Sequence, residues 1–483
     1  MRIKIVLHYL GLLIAILGFF MLLPLGFSLF YKEPDYFAFA ISAGISVVSG
    51  LLLWRLTPVG EEKLSRREAI TIVAGGWVLA SAFGALPYIF AGTFQSYLNA
   101  YFEAMSGFAA SGASVITDVE IQPHGILLWR SLTQWLGGMG IITLFVALFP
   151  MLGIGAAHLV EAEMPELQTE RLTARIRDTA RAVWLLYLGF SVLEVILLWL
   201  AKMPVFDALA VTFSTMATGG FTPTNASIGA YNSPLIEGIV IIFMVLAGVN
   251  FGLYYFFFWK RQPGRLFTDP EFRLYITLLI GAVVLVAGDL MLNGGVPVGE
   301  AFRQSSFSTI SIGTTTGFAT ADFNTWPAFS RTVLLILMII GASAGSTAGG
   351  IKVIRLLVLL KQIYRRIRLT INPSAVIPLK VGENILSGQM ISGIVSVAVL
   401  YIITLTAGTL VLNAMGIDQI TAFSAVAANM STTGPGLGLV GPMANYLWIP
   451  PAGKIVLIIC MLVGRLELFT VLALLTPSFW KWR

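Results

Sequence analysis

Four polar, glycine-bearing segments interrupt an otherwise apolar chain at intervals of roughly a hundred residues, an internal repeat that constrains every other reading. They are Phe108-Ala-Ala-Ser-Gly112-Ala-Ser, Met216-Ala-Thr-Gly-Gly220-Phe-Thr, Gly313-Thr-Thr-Thr-Gly317-Phe-Ala-Thr and Met430-Ser-Thr-Thr-Gly434-Pro-Gly. Each lies between two long apolar runs. The 483 residues are 57% hydrophobic and 11% charged, with mean hydropathy +0.86. Apolar runs of the ~20 residues needed to cross a bilayer recur along the chain. The ten-residue alternation of a membrane barrel does not occur. The composition therefore implies an all-α integral membrane protein.

The repeat divides the chain. Residues 1–67 carry two spans, about 5–31 and 37–57, and no Ser/Thr/Gly loop; the first is read as a retained helix, since its apolar run exceeds that of a signal peptide. Four units follow, at 68–160, 161–265, 266–380 and 381–483. Each has a span, a shorter apolar helix, the polar loop and a second span. The spans are 68–92 and 126–150, 182–202 and 234–259, 272–293 and 328–362, and 389–414 and 450–475, ten in all with the first two. The short helices, at 97–110, 205–217, 299–313 and 418–431, would be ~20 Å long at 1.5 Å per residue, too short to cross. A short helix before a polar loop between spans reads as a re-entrant pore helix, whose irregular backbone is tolerated only where buried or lining a wet cavity. Asp207, Glu300 and Asp418 lie near three of these helix starts, where the positive helix end favours them, and the negative ends then face the loops.

Most of the 30 Lys and Arg fall at every second connection, around 2–4, 55–67, 171–181, 260–273, 352–380 and 481–483. The positive-inside rule then puts both termini in the cytoplasm, and the net charge of +6 needs no nucleic-acid partner. The single cysteine, Cys460, excludes an internal disulfide and a thiolate cluster, and the three histidines form no metalloprotease pair.

Selecting an alkali cation means replacing its water shell with oxygen ligands, and backbone carbonyls do this where the chain can turn them inward in succession. Glycine permits the necessary angles; Ser and Thr add hydroxyl oxygens. No Asp or Glu lies within the four loop cores, which argues against a calcium or magnesium site and for a weakly bound monovalent ion. These loops, together with Trp129-Arg-Ser-Leu-Thr-Gln-Trp-Leu-Gly-Gly138-Met-Gly140 and Gly345-Ser-Thr-Ala-Gly-Gly-Ile-Lys352, resemble the TrkH-type membrane subunits of the Trk potassium uptake systems, within the Trk/Ktr/HKT superfamily. The resemblance covers essentially the whole chain. It implies a pseudo-fourfold pore with K⁺ as the transported ion and no cofactor. Carried over by position, the filter would comprise Ala110, Ser111, Gly112 and Ala113; Thr218, Gly219, Gly220 and Phe221; Thr315, Thr316, Gly317 and Phe318; and Thr432, Thr433, Gly434 and Pro435. Gly112 favours potassium, since serine there accompanies sodium permeation in plant relatives. The first loop nonetheless reads Ala-Ser-Gly-Ala-Ser rather than Thr-Thr-Gly-Ala-Thr, so a sodium-permeable or proton-coupled transporter stays open as the alternative.

The span 328–362 would be roughly 52 Å long as one helix, and Gly341, Gly345, Gly349 and Gly350 crowd its middle. At ~1 kcal/mol per helical glycine the run should break there. A close-packing small-residue face is the other reading. The resemblance implies a gate loop that includes Gly341, Gly345, Ser346, Thr347, Gly349 and Gly350, with Arg465 as a charge on the pore axis; an arginine at mid-span costs ~2.5–3.5 kcal/mol and must face a polar interior. Lys352 reads as a cytoplasmic-side anchor and Arg130 as an interfacial or packing residue. Asp289, Glu194 and Glu467 receive no role. Gly436-Leu-Gly-Leu-Val-Gly441 follows a pore loop rather than a strand and is no dinucleotide site. The chain carries no nucleotide fold, and the resemblance implies a cytosolic nucleotide-binding, TrkA-like regulatory subunit, a homodimeric membrane part, membrane lipid around it and the bacterial inner membrane as its place. A membrane-embedded enzyme is the distant rival, but no pore segment supplies a nucleophile–base pair; a purely structural subunit would have no use for four filters.

Overall fold

The computed structural model describes residues 1–59, 64–140, 173–382, 384–466 and 468–480. The second half of the expected span 126–150, the segment 158–172, Glu467 and 481–483 lie outside them. The described chain is helical apart from one antiparallel pair, β1 (Lys380–Val381) against β2 (Asn384–Ile385).

The N-terminal unit is α1 (Ile3–Phe20), α2 (Leu22–Tyr31) and α3 (Tyr36–Leu56). Helices α1 and α3 meet backbone to backbone: a Cβ on Gly11 would lie 2.8 Å from the Gly50 carbonyl oxygen. The unit is bound to the next helix, α4 (Arg66–Gly84), where the Arg2 guanidinium pairs with Glu68 at 2.8 Å. Glu68 also closes a capping box with Ser65, satisfying two amides at the helix start. A short α5 (Leu86–Phe90) extends this span.

The same order then recurs four times. The short helices are α6 (Tyr97–Phe108), α9 (Val205–Met216), α14 (Val298–Gly313) and α18 (Gln419–Met430). The long helices before the last three are α8 (Thr173–Leu200), α13 (Pro270–Leu292) and α17 (Gly388–Ala414). Asp418 caps α18 through the Thr421 amide at 3.1 Å, and Asp207 and Glu300 sit in the first turns of their helices. Asp289 also acquires a part: from α13 its carboxylate accepts the amide and hydroxyl of Ser330 and so holds the first turn of the helix Ala328–Ile340.

The helices that follow the loops are not simple single spans, and in one case the sequence already predicts the break. They are α7 (His124–Gly138), α10 (Pro234–Ala247), α15 (Ala328–Ile340) and α19 (Pro451–Leu466), of 15, 14, 13 and 16 residues. The run 234–259, expected as one span, turns through 94° into α11 (Phe251–Phe258), and a short α12 (Gly264–Thr268) leads on to α13. The run 328–362 stops at Ile340 and resumes as α16 (Val353–Ile371). Six helical stretches among the described residues are long and apolar enough to cross a bilayer, and the bent pair makes a seventh. The expected ten spans include these interrupted runs, of which the pieces Pro234–Ala247, Phe251–Phe258 and Ala328–Ile340 are each too short to cross alone. This is a multi-pass membrane protein in which two of the runs expected as spans are interrupted.

Candidate functional site: a four-loop ring and the excursion beneath it

Each short helix ends in the same way. Ala110, Thr218, Thr315 and Thr432 adopt left-handed backbone, with φ of 52°, 52°, 58° and 53°. The amide after each, on Ser111, Gly219, Thr316 and Thr433, reaches back to the carbonyl of Ser106, Ser214, Ser311 and Ala428, at 2.8 Å every time. This is the Schellman closure, normally made with glycine in the left-handed place. Three β-branched threonines there cost ~1–2 kcal/mol each, and strain of this kind persists only where the surroundings enforce it.

Two residues on, Gly112, Gly220, Gly317 and Gly434 also have positive φ, between 81° and 92°. A Cβ on Gly112 would strike the carbonyl oxygen of Gly219. On Gly220 it would strike that of Thr316, on Gly317 that of Thr433, and on Gly434 that of Ser111. Each glycine thus abuts the carbonyl preceding the glycine of the next repeat, and the fourth abuts the first. The loops close into one ring, each glycine set against a carbonyl oxygen of its neighbour. Their outer limbs are tied in the same rotation. The Val119 amide donates to Asn225 Oδ1 at 2.8 Å, the Gly229 amide to the Ala319 oxygen at 3.2 Å, Asn324 Nδ2 to the Gly438 oxygen at 3.0 Å, and the Tyr446 amide to the Ser114 oxygen at 2.8 Å. The Phe221 and Phe318 side chains are buried and point into packing, so these two residues contribute backbone alone. A cavity of about 170 Å³ outside the ring is lined by all four glycines.

On the other side lies the interruption between α15 and α16. Residues 341–350 leave the helix and return: the Ile351 and Lys352 amides bond the Ile339 and Ile340 oxygens, and Gly341 and Gly350 meet where a side chain would not fit. The excursion is pinned from four directions. At the α10–α11 corner the Phe251 amide donates to the Gly345 oxygen, and the Ser343 amide to the Gly248 oxygen, each at 3.0 Å. From α13, one oxygen of buried Glu271 accepts the Ala344 amide at 2.7 Å and the Ile354 amide at 3.1 Å. From the ring, Thr315 Oγ1 accepts the Gly349 amide at 2.9 Å. From α19, Arg465 Nη1 donates to the Thr347 oxygen at 2.9 Å, while its Nη2 reaches the Gly137 and Gly138 oxygens. Arg465, the excursion and the end of α7 enclose a cavity of about 70 Å³.

Known proteins are similar to this chain from end to end. A family model described as TrkH, cation transport protein, matches residues 37–481. The chain belongs to the TrkH family. Relatives named Trk system potassium uptake protein TrkH are 37% identical in Halomonas elongata and 36% identical in Escherichia coli, each over the full length of both chains. The crystal structure of the potassium transporter TrkH from Vibrio parahaemolyticus superposes with a TM-score of 0.90 at 35% identity, covering 100% of both chains. The family's members here carry transporter names, and the fold is the family's.

The site residues expected from the family resemblance come together as two groups. The four loop sets meet in the ring. Gly341, Gly345, Ser346, Thr347, Gly349 and Gly350 form the excursion with Arg465 on it, and Lys352, expected as a cytoplasmic-side anchor, ends the excursion and donates to the Ala348 oxygen at 2.7 Å. Arg130, expected as an interfacial or packing residue, is 2% exposed and paired at 2.8 Å with Glu103, itself 0% exposed. Four residues went unnoticed in the sequence: Glu103, Gln134, Asn250 and Glu271. An acid inside an apolar pore helix, and another at a span's first turn, were the available signals. Glu194 is fully buried on α8.

Proposed function

We propose that this protein carries potassium into the bacterial cell across the inner membrane, with the four-loop ring as its selectivity filter. The closed ring of glycines and carbonyl oxygens is the observation that carries this reading, because a dehydrated monovalent cation needs a small set of fixed oxygens and no fixed negative charge. Relatives named as potassium uptake proteins support the choice of ion. The excursion 341–350 and Arg465 form the gate beneath the filter, an obstruction and a repulsive charge on the cation path. Both termini face the cytoplasm. There a nucleotide-binding regulatory subunit acts on a homodimer of this chain through the cationic end of α16, around Lys361–Arg368.

The first loop favours a second reading on one point. Thr314 and Thr316 pair through their hydroxyls at 2.8 Å, and Ser431 and Thr433 at 3.0 Å; the matching Ala109 and Ser111 cannot. A looser first loop would admit sodium. Uptake of K⁺, Rb⁺ and Na⁺ into proteoliposomes under a clamped pH gradient separates the readings. The expected result is K⁺ and Rb⁺ uptake that excess Na⁺ inhibits weakly in the parent and strongly in Gly112→Ser. An unchanged ratio in that variant would remove Gly112 from the filter. Uptake that follows the pH gradient rather than the K⁺ gradient would establish proton coupling.

A further inference from the structure

Loops one and two lack the hydroxyl braces of loops three and four, yet they are held by something stiffer. Helix α7 runs between them. Arg130 on that helix donates through Nε to Glu103 Oε1 at 2.8 Å, through Nη2 to Ser114 Oγ at 3.2 Å and through Nη1 to the Thr222 oxygen at 3.3 Å. Its guanidinium lies 4.1 Å from the centre of the Phe221 ring. Glu103, from the first pore helix, accepts the Ser114 hydroxyl at 2.9 Å and the Val115 amide at 2.9 Å. One turn deeper, Gln134 donates to the Gly219 oxygen at 2.6 Å and accepts the Phe221 amide at 3.1 Å. The pair therefore grips the outer limb of loop one at 114–115 and that of loop two at 221–222. Gln134 fixes the Gly219 carbonyl, the oxygen against which Gly112 rests.

We propose that Arg130, Glu103 and Gln134 are positioning residues for selectivity: a bracket that fixes the spacing between loops one and two and thereby sets discrimination of potassium against sodium. Three features support this. The three residues are 0–2% exposed, so the ion pair is unscreened and each charge depends on the other. Arg fits the task where Lys would not, because its planar fork reaches three acceptors at once. The bracket also stands where the hydroxyl braces are missing, so the repeats reach one geometry by two chemistries. Arg130 lines the cavity outside the ring, and Glu103 cancels a charge that would otherwise repel the arriving cation.

This inference rests on the ring being the filter, and the experiment keeps the two apart. Purified, monodisperse Arg130→Gln, Glu103→Gln, Gln134→Met and Gly112→Ser are reconstituted beside the parent, and ⁸⁶Rb⁺ uptake is titrated with Na⁺ and with K⁺. Each bracket variant is expected to lower the ratio of Na⁺ to K⁺ inhibition constants by about tenfold, equal to ~1.4 kcal/mol of lost discrimination, while Rb⁺ itself still enters. Gln134→Met removes no charge and conserves volume, so it reports even where the charge variants fail to fold. A purely architectural role would lower uptake of all ions together and leave the ratio within twofold. That result in Gln134→Met, with Gly112→Ser altered, overturns the bracket alone. An unaltered ratio in Gly112→Ser as well overturns the filter reading and the bracket with it.

Discussion

The ring around Gly112, Gly220, Gly317 and Gly434 and the excursion at 341–350 are both glycine-rich and touch through Thr315 and Gly349, but they are held in opposite ways. Every repeat contributes the same closure and the same abutment to the ring, so each loop is buttressed by the next, and the outer limbs repeat the pattern. The excursion belongs to one repeat, and its pins come from four unlike places: the α10–α11 corner, Glu271, Thr315 and Arg465. A structure held by copies of one contact resists the loss of any of them. A structure held by single contacts from different helices is released when one helix shifts. On the proposed reading the first suits selection and the second suits gating.

The comparison breaks most visibly at the ring. Gly317→Ala forces a methyl into the Thr433 carbonyl; overpacking of up to ~3 kcal/mol corresponds to a roughly 100-fold fall in K⁺ uptake, measurable in vesicles. Equal uptake by parent and variant would show that the ring tolerates side chains and is no filter. Next in size is the excursion: deleting residues 346–349 together with Arg465→Ala should raise basal flux about tenfold, the equivalent of ~1.4 kcal/mol, with the K⁺ to Na⁺ ratio unmoved. A changed ratio would mean that the two regions are one device. Glu271→Gln is milder, since it swaps a charge-assisted acceptor for a neutral one at a cost of ~1 kcal/mol; a severalfold rise in flux is expected, and single-channel open times would record it. The smallest effect belongs to Asp418, outside the spans. Hydrogen bonds from the Thr421 side chain and backbone hold its carboxyl below the ordinary value of 3.8. Its contribution is therefore complete above that value and is lost as pH falls through the lowered folded-state value. Asp418→Ala should cost about 1 kcal/mol in thermal unfolding at neutral pH, and the gap to the parent should close only in strong acid.

The fourfold plan was legible because polar loops in an apolar chain leave nowhere else for the backbone to be satisfied. The interruption after Ile340 was legible because four glycines within ten residues cannot sustain a helix. The corner at 248–250 was not. Residues 234–259 read as one apolar run, and only Gly248 and Asn250 mark the turn, where Asn250 caps the next helix through the Gly252 amide at 2.8 Å. The pairing of Arg130 was hidden for a different reason. An arginine near the outer end of a span has an inexpensive interfacial place by composition, and its partner Glu103 lies 27 residues away on another helix. Local pattern finds where the backbone must bend; it does not find which distant charge a buried charge requires.

The ring has a rotational sense, since each glycine rests on the carbonyl of the following repeat and none rests on the preceding one. Substitution in one loop therefore burdens one neighbour. Through descent, a residue larger than glycine at 112 would need compensation at 219, one at 220 at 316, one at 317 at 433, and one at 434 at 111. The four glycines are thus coupled in ordered pairs around a circle, while the residues that present the carbonyls, Ser111, Gly219, Thr316 and Thr433, differ from loop to loop.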